Sequence, residues 1–545
     1  MSICHNLIRQ FCGVYRNMAF SLQKVLISDN VAPGCAEILQ KNGIAVETKT
    51  KLSKDELIKE IQNYDGLIVR SATKVTADVI DAAKNLKIIG RAGTGVDNID
   101  VNAASRQGII VMNTPGGNTM SAAEHTCCMI CSLSRNIPQA HMSMNEGRWD
   151  RSKFMGHELY GKTLAIIGLG RIGKEVALRM QSFGMTTIGY DPIIPAKVSA
   201  EFGVDWMELE HLWPKADYIT VHVPLIPQTK GLIGEKSFPQ CKKGVRVVNV
   251  ARGGVIDESA LVTALESGQC GGAALDVFEE EPPTNKALIQ NPLVVTTPHL
   301  GASTKEAQVR VAVEIAEQFV DAVNGKSLVG ALNAPALANA LKEETKPWVK
   351  VGEGLGVLAA ALTGKANSQT EIQLTTYGGE LKEAGSFLQA AVCMGLLKEQ
   401  ATSALNLVNA AVFNKEIGIQ VNVSHQAEAP ATLTAAVSVL IKSNNTTYKL
   451  SGTVLGSAPV LCEIDGATFV SAVVLSGNLL LYKSESNGAT FCAVTCALKG
   501  NSQIMSYSST AQTDSSMWGA IQLATPLPNV DGVKPHVKNV VQLTI

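Results

Sequence analysis

The sequence predicts an α/β protein: two doubly wound parallel-sheet domains, one inserted into the other, followed by C-terminal α+β domains of a regulatory type. Three observations lead there. From Lys24 onward, short apolar runs alternate with helical stretches, as strands joined by crossover helices do. A second such alternation opens at Thr163 with TLAIIGLGRIG, an apolar run leading into glycines spaced G-x-G-x-x-G. Beyond Gly330 the character changes to Ala- and Asn-rich helical patterns and then to strand-like runs.

Taken in order, KVLIS (24–28) reads as a strand, APGCAEILQKNG as a helix with a Gly stop, and IAVETK as a strand. DELIKEIQ and DVIDAAK read as helices, and GLIVRS, LKIIGRAG and IIVMNTP as strands. A long helix is expected over Ser121–Met144, with Ser121 and Glu124 as a capping box. After the glycine fingerprint come strands at 185–191, 217–224, 245–252, 273–278 and 293–299, and then a helix over Lys305–Asn324. A fingerprint in mid-chain implies an inserted cofactor domain. Residues 116–300 are assigned to it, and 18–115 with 301–330 to a discontinuous substrate-binding domain. A cleft between two such domains is a natural ligand site. Residues 331–477 are assigned to an intervening domain, helical to about 445 and strand-like after it. Residues 478–545 read as strand, helix, strand, strand and a helix near 532–542, a small α+β sandwich.

Composition excludes several classes. At about 150 residues per domain, 545 residues are too many for one core. With 46% apolar and 17% charged residues the chain is globular rather than disordered. A net charge of −1 with scattered signs leaves no basic footprint for nucleic acid. No run of about 18 apolar residues suits a membrane span. The 12 cysteines fit reduced thiols, and so a cytoplasmic protein, better than a disulfide scaffold. Cys128 and Cys131 have CxxC spacing, but no second CxxC completes a four-thiolate site. They are expected to be buried helix thiols, and no metal is expected. The first 17 residues hold two Arg and no acid, and read as a non-folding extension in preference to a short presequence.

The chemistry-bearing residues follow strand ends. Gly168 allows the tight turn, Gly170 lets a pyrophosphate approach the backbone, and Gly173 permits close helix–strand packing. The phosphates then meet the unpaired N–H groups of the next helix. Asp191 ends the following strand, where a carboxylate takes the ribose hydroxyls and repels the extra phosphate of NADP. NAD is therefore the expected cofactor. Arg252, Glu281 and His299 each follow a later strand, so they converge at the carboxyl edge of the sheet. A neutral His299 imidazole can take a hydroxyl proton, and a Glu281 carboxylate beside it raises its pKa and fixes its tautomer. Arg252 can grip a carboxylate bidentately and polarise the reacting oxygen. Arg70 and Arg91 also follow strands, and the N–H groups of the Gly93–Val96 loop form an anion nest. An anionic substrate is expected.

The stretches RSATKVTADVI, GRAGTGVDNID, GLGRIG, RMQSFGM, GYDP, NVARGGVIDE, AALDVFEEEPP and PHLGASTKEA together resemble the NAD-dependent D-2-hydroxyacid dehydrogenases. The resemblance is dense over about residues 18–330 and looser beyond. It implies NAD-dependent oxidation of 3-phosphoglycerate to 3-phosphohydroxypyruvate, the entry to serine biosynthesis. It makes His299 the acid/base, Glu281 its partner and Arg252 the carboxylate anchor. Arg70, Ser71, Arg91 and Asn113 match substrate positions, and Arg151 matches one that reaches the substrate phosphate across a dimer. Thr94, Arg171, Ile172, Asp191, Val250, Ala251, Asp276, Gly301 and Ala302 match cofactor positions, Asp276 toward the nicotinamide amide. A homo-oligomer through the cofactor domain is implied, a tetramer in the long form. Two departures stand out. Val223 in VHVPL replaces the Thr of the nearest relatives, removing a side-chain contact to NAD. The turn SESNGATF lacks the Asp/Pro signature of amino-acid-binding ACT domains, which leaves serine feedback open. A co-repressor of the same fold, or an enzyme acting on glyoxylate or hydroxypyruvate, are the competing readings.

Overall fold

The structure, a computed structural model, describes residues 21–340, 342–401, 404–429, 433–485, 488–511 and 516–545, without the side chains of 338 and 488. The extension expected at 1–17 lies outside the described residues.

Five parallel strands form the first sheet: β1 (Lys24–Ile27), β2 (Ala45–Thr48), β3 (Gly66–Val69), β4 (Ile88–Arg91) and β5 (Ile110–Asn113), in the order β2-β1-β3-β4-β5. Every residue of β3 and β5 is buried, as expected where helices cover both faces of a parallel sheet. One covering helix comes from far along the chain. Lys305–Val323 packs Val311, Ile315 and Phe319 onto Val25, Ile68 and Ile88. Gly90 makes room for it, since a Cβ there would stand 2.5 Å from the Phe319 ring. The chain thus leaves the first sheet and returns to it.

Between departure and return lies a seven-stranded parallel sheet of β6 (Thr163–Ile167), β7 (Thr186–Tyr190), β8 (Asp205–Trp206), β9 (Tyr218–Val221), β10 (Val245–Asn249), β11 (Cys270–Leu275) and β12 (Val294–Thr296). Its order is β12-β11-β10-β9-β6-β7-β8. The chain runs outward from β6 to β8 and then restarts on the other side at β9. The β6/β9 boundary is therefore the switch point at which such folds bind ligands.

The helix expected over 121–144 is two helices, Thr119–Arg135 and Ile137–Asn145, broken at Asn136 with φ +54°. Pro138 has no N–H to continue the first helix but suits the opening turn of the second. The capping box is not formed. The first helix starts before Ser121, whose buried hydroxyl instead meets Thr304 Oγ1 at 2.7 Å. The CxxC thiols are not buried either: Cys128 is exposed and Cys131 half-buried, whereas Cys127 faces the core. Successive helix residues are turned by roughly 100°, so neighbouring cysteines cannot share a face.

Three strands interrupt the region expected to be helical, the third being the first of a run that continues beyond it. β13 (Glu371–Tyr377) and β14 (Gln420–Gln426) join β15 (Ala436–Ser443), β16 (Thr446–Leu455), β17 (Ala458–Ile464) and β18 (Ala467–Val474) in one mixed sheet, ordered β14-β13-β15-β16-β17-β18. β13 and β14 are parallel and joined through helices Gly385–Leu397 and Ala410–Ile417, a crossover unit. β14 is an exposed edge strand, so its sequence QVNVSHQ carries little apolar alternation.

The last sheet holds β19 (Asn478–Glu485), β20 (Ile504–Ser509), β21 (Ser516–Leu523) and β22 (Asn539–Thr544), ordered β20-β21-β19-β22 and antiparallel. The helix expected near 532–542 is a single 3₁₀ turn at Lys534–His536 followed by β22. The β-branched pair Val540-Val541 suits pairing with β19. Alternate residues of this sheet serve two cores. Leu479, Leu481, Trp518 and Leu543 join the apolar core of the preceding unit, while Leu480, Tyr482 and Ile521 pack against Val494 and Leu498 of the last helix.

Candidate active site

A cleft of about 620 Å³ lies between the first two sheets, at the carboxyl ends of their strands. Arg70, Ser71, Arg91, Thr94, Gly95 and Asp97 line one wall. Ile172, Val223, Val250, Ala251, Arg252, Glu281, His299, Gly301 and Ala302 line the other.

The dinucleotide side is built by backbone. Gly168 has φ +94°, and a Cβ on it would lie 2.5 Å from the His222 carbonyl, so only glycine fits the turn. Gly173 meets the Gly168 carbonyl, where a Cβ would stand at 2.0 Å. Gly170 is different. Nothing lies within 4 Å of the position its Cβ would take, and it opens helix Arg171–Gln181 with no side-chain cap. Open space over uncapped helix N–H groups is what a pyrophosphate needs. Asp191, just beyond β7, accepts Leu169 N at 2.8 Å on one oxygen and the N–H groups of Ile193 and Ile194 on the other. A carboxylate has about four acceptor positions, so one remains for a ribose hydroxyl. The residues present fit NAD.

The polar side is built at strand ends. Beyond β10, buried Asn249 shapes the turn that presents Arg252: its Nδ2 donates to Arg252 O at 2.8 Å, and Ala251 N donates to its Oδ1 at 3.0 Å. Beyond β12, His299 Nδ1 lies 2.8 Å from Glu281 Oε2, and Glu281 Oε1 accepts Phe278 N at 3.3 Å. With the carboxylate holding Nδ1–H, Nε2 is the basic nitrogen. His299 itself sits at φ +55°, a costly conformation for a residue with a Cβ. Asp276 supports it. His299 N donates to the Asp276 carbonyl at 2.9 Å, and the amides of Leu300 and Gly301 donate to the Asp276 carboxylate at 2.7 and 2.8 Å.

That carboxylate is fully buried and also accepts from Thr297 Oγ1 at 2.5 Å, with His125 Nε2 at 3.2 Å. Burial pushes the Asp276 pKa up, but the hydrogen bonds from His125, Thr297, Leu300 and Gly301 outweigh it and hold the group below the usual range. Asp276 therefore lies beneath the His299 loop, not on the cleft surface. Asn113 is likewise set back, its Nδ2 donating to the Thr94 carbonyl. Arg151 is exposed and outside the cleft, and Arg171 turns its Nη1 to the Pro115 carbonyl at 3.2 Å.

Three guanidiniums meet in the cleft. Burial, and then the charge of Arg252, push the Arg91 pKa down to about 10, and burial lowers that of Arg70. The Nε atoms of both are buried without a hydrogen-bond partner. Three cationic side chains converging on one cleft make it a place for an anion. Sequence reasoning missed Asp97, Asn249 and His125. Asn249 hides inside the apolar run VRVVNV, and Asp97 inside a glycine-rich turn where Asp is an ordinary turn residue.

A histidine–carboxylate pair beside a dinucleotide cradle in one cleft suits hydride transfer, and the chain is an NAD-dependent dehydrogenase. Comparison narrows the class. The family described as D-isomer specific 2-hydroxyacid dehydrogenase, NAD binding domain, matches residues 127–301, and the D-3-phosphoglycerate dehydrogenase intervening domain matches residues 344–465. The chain belongs to the D-3-phosphoglycerate dehydrogenase family: the Homo sapiens D-3-phosphoglycerate dehydrogenase is 52% identical over 532 residues, 96% of this chain and 99% of that one. Among solved structures, a glyoxylate reductase from Paecilomyes thermophila is similar at 29% identity and TM-score 0.53, covering 57% of this chain and 98% of its own. D-Lactate dehydrogenase from Aquifex aeolicus, solved with NAD and lactic acid, is similar at 27% identity and TM-score 0.51, covering 56% and 96%.

Proposed function

We propose that this enzyme oxidises 3-phospho-D-glycerate to 3-phosphohydroxypyruvate, the first step of L-serine biosynthesis. The observation that carries the reading is the convergence of Arg70, Arg91 and Arg252 on the cleft that holds the His299–Glu281 pair. A substrate with a phosphate at one end and a carboxylate at the other satisfies three guanidiniums; a small uncharged or singly charged acid does not. The family's named relatives act on that substrate by name.

In this reading Arg252 grips the carboxylate and polarises the reacting oxygen, while Arg70, Arg91 and Ser71 face the phosphate. His299 Nε2 takes the hydroxyl proton, and Glu281 stabilises the imidazolium that results. Bound NAD supplies the hydride acceptor. Gly168, Gly170 and Gly173, with Arg171 and Ile172, hold the pyrophosphate, and Asp191 holds the ribose. Thr94, Val250, Ala251, Gly301 and Ala302 enclose the nicotinamide end. Asp276 and Asn113 act from behind, one fixing the His299 loop and the other the Thr94 loop.

The same reading divides the chain into 18–115 with 301–330 for substrate, 116–300 for NAD, 331–477 as an intervening domain and 478–545 as an ACT-like one. It also makes the protein a cytoplasmic homotetramer that dimerises through the NAD-binding domain. Exposed Ile137, Met142, Met144, Trp149, Met155 and Tyr160 supply an apolar surface there, and Arg151 lies among them. Among the described residues no helix is long and apolar enough to cross a membrane.

The test is NAD reduction with 3-phosphoglycerate, D-glycerate and D-lactate side by side. The expected kcat/KM favours the phosphorylated acid by about 100-fold or more, which is about 2.8 kcal/mol at roughly tenfold per 1.4 kcal/mol. Preference for an unphosphorylated acid overturns the assignment.

A further inference from the structure

We propose that Asp97 is a positioning residue for Arg252: a tether reaching from the first sheet's side of the cleft that aims the guanidinium before substrate arrives. The inference rests on Arg252 being the carboxylate anchor. Asp97 Oδ2 accepts Arg252 Nε at 2.9 Å, and Arg252 Nη1 donates to the Ala251 carbonyl at 2.6 Å. Two bonds to different nitrogens fix the plane of the fork. They leave Nη2 and one Nη1 hydrogen, enough for a bidentate grip on a carboxylate.

Gly95 completes the seat. A Cβ there would stand 1.6 Å from Arg252 Nη2 and 2.8 Å from Asp97 Oδ2, so the guanidinium lies directly over its backbone. The loop that carries Gly95 and Asp97 is itself held. Asn98 Nδ2 donates to the carbonyls of Arg70 and Thr73 at 2.7 and 2.6 Å, and Val75 bridges to Ile99. The tether thus connects the anchor on one wall to the main chain of a phosphate-facing residue on the other.

A role in fold stability does not explain the pair. Asp97 is 65% exposed, and an ion pair in such a place contributes little. Nor does charge complementarity, because an aspartate in an anion site repels the substrate. Orientation is what remains: a long flexible side chain held in the binding geometry loses less freedom when the ligand arrives.

The two effects of Asp97 have opposite signs, which makes the experiment decisive. Asp97→Ala should raise KM for 3-phosphoglycerate about fivefold, the scale of one exposed pair, with kcat within about twofold and KM for NAD unchanged. Asp97→Asn keeps an acceptor oxygen for Nε and should restore KM to the wild-type value or below. Gly95→Ala, whose Cβ would crowd both the guanidinium and Asp97 Oδ2, should raise KM at least as much as Asp97→Ala does. A KM that stays or falls in Asp97→Ala, or an Asn variant as defective as Ala, overturns the proposal. Failure of the functional reading looks different: it appears in the wild type, as a preference for another 2-hydroxy acid. The same KM comparison with that preferred acid then tests the tether.

Discussion

The two halves of this chain treat their residues differently. Up to about Gly330, a residue's identity follows from what its backbone or chemistry must touch. Gly168 and Gly173 are crowded by neighbouring carbonyls, Gly90 by a returning helix, and Arg252, Glu281 and His299 stand where parallel strands end. Beyond it, the residues that tie the last two units together are set by packing. Leu479, Leu481 and Trp518 belong to the core of one unit and Leu480 and Tyr482 to that of the next, and other apolar residues of similar shape would serve. Chemistry-bound positions are readable one at a time, whereas packing-bound positions are readable only as patterns.

That contrast can be broken or sharpened by experiment. Outside the residues that line the cleft, the largest effect on turnover belongs to Asp276. Asp276→Asn turns an acceptor of four hydrogen bonds into a group with one acceptor oxygen and a donor, and frees the His299 loop. With each charged hydrogen bond contributing about 1.5–3 kcal/mol, kcat should fall by at least tenfold, while NAD still binds. Stopped-flow turnover beside nicotinamide fluorescence checks it. The Asp276 carboxyl is held below its usual pKa, so its contribution to stability is present above the unfolded value of about 3.9 and lost as pH falls through the folded value. Wild type should lose stability on acidification through that window more steeply than Asp276→Asn.

In the second half, Leu481→Ala should cost about 2–5 kcal/mol in denaturant unfolding of the C-terminal region, because Leu481 is fully buried. Turnover at saturating substrate should hold. A collapse of kcat would show the C-terminal packing to be coupled to the cleft. Such coupling has a route, since Asn406 Nδ2 donates to the Gly108 carbonyl at 2.9 Å and Leu332 N to the Val111 carbonyl, beside β5. The smallest effect is at Val223, which lines the cleft without a polar side-chain atom. Val223→Thr should lower KM for NAD by about threefold, the scale of one added hydrogen bond.

Much of the site was legible in the sequence because a parallel sheet sends its strand ends to one edge. Placing Arg252, Glu281 and His299 needed only the strands. The supporting residues were not legible. Asn249 reads as one polar residue in an apolar strand, Asp97 as turn chemistry, and Asp276 as a cleft residue when it is a buried strut. The fold was legible on the same terms. Buried parallel strands announced themselves as apolar runs, but edge strand β14 has only Val421 and Val423 to show, and β22 pairs where a helix was expected. The break at Asn136 was written in Pro138, within a pattern that otherwise ran on as helix.

Everything in the mechanism depends on His299 Nε2 taking a proton in the cleft that binds NAD. The direct measurement is single-turnover reduction of NAD by His299→Ala, with NAD affinity followed by fluorescence in the same samples. The expected result is a rate lower by about 10²–10⁴, the range for a positioned general base, with NAD bound as in wild type. Turnover near the wild-type rate would contradict the account.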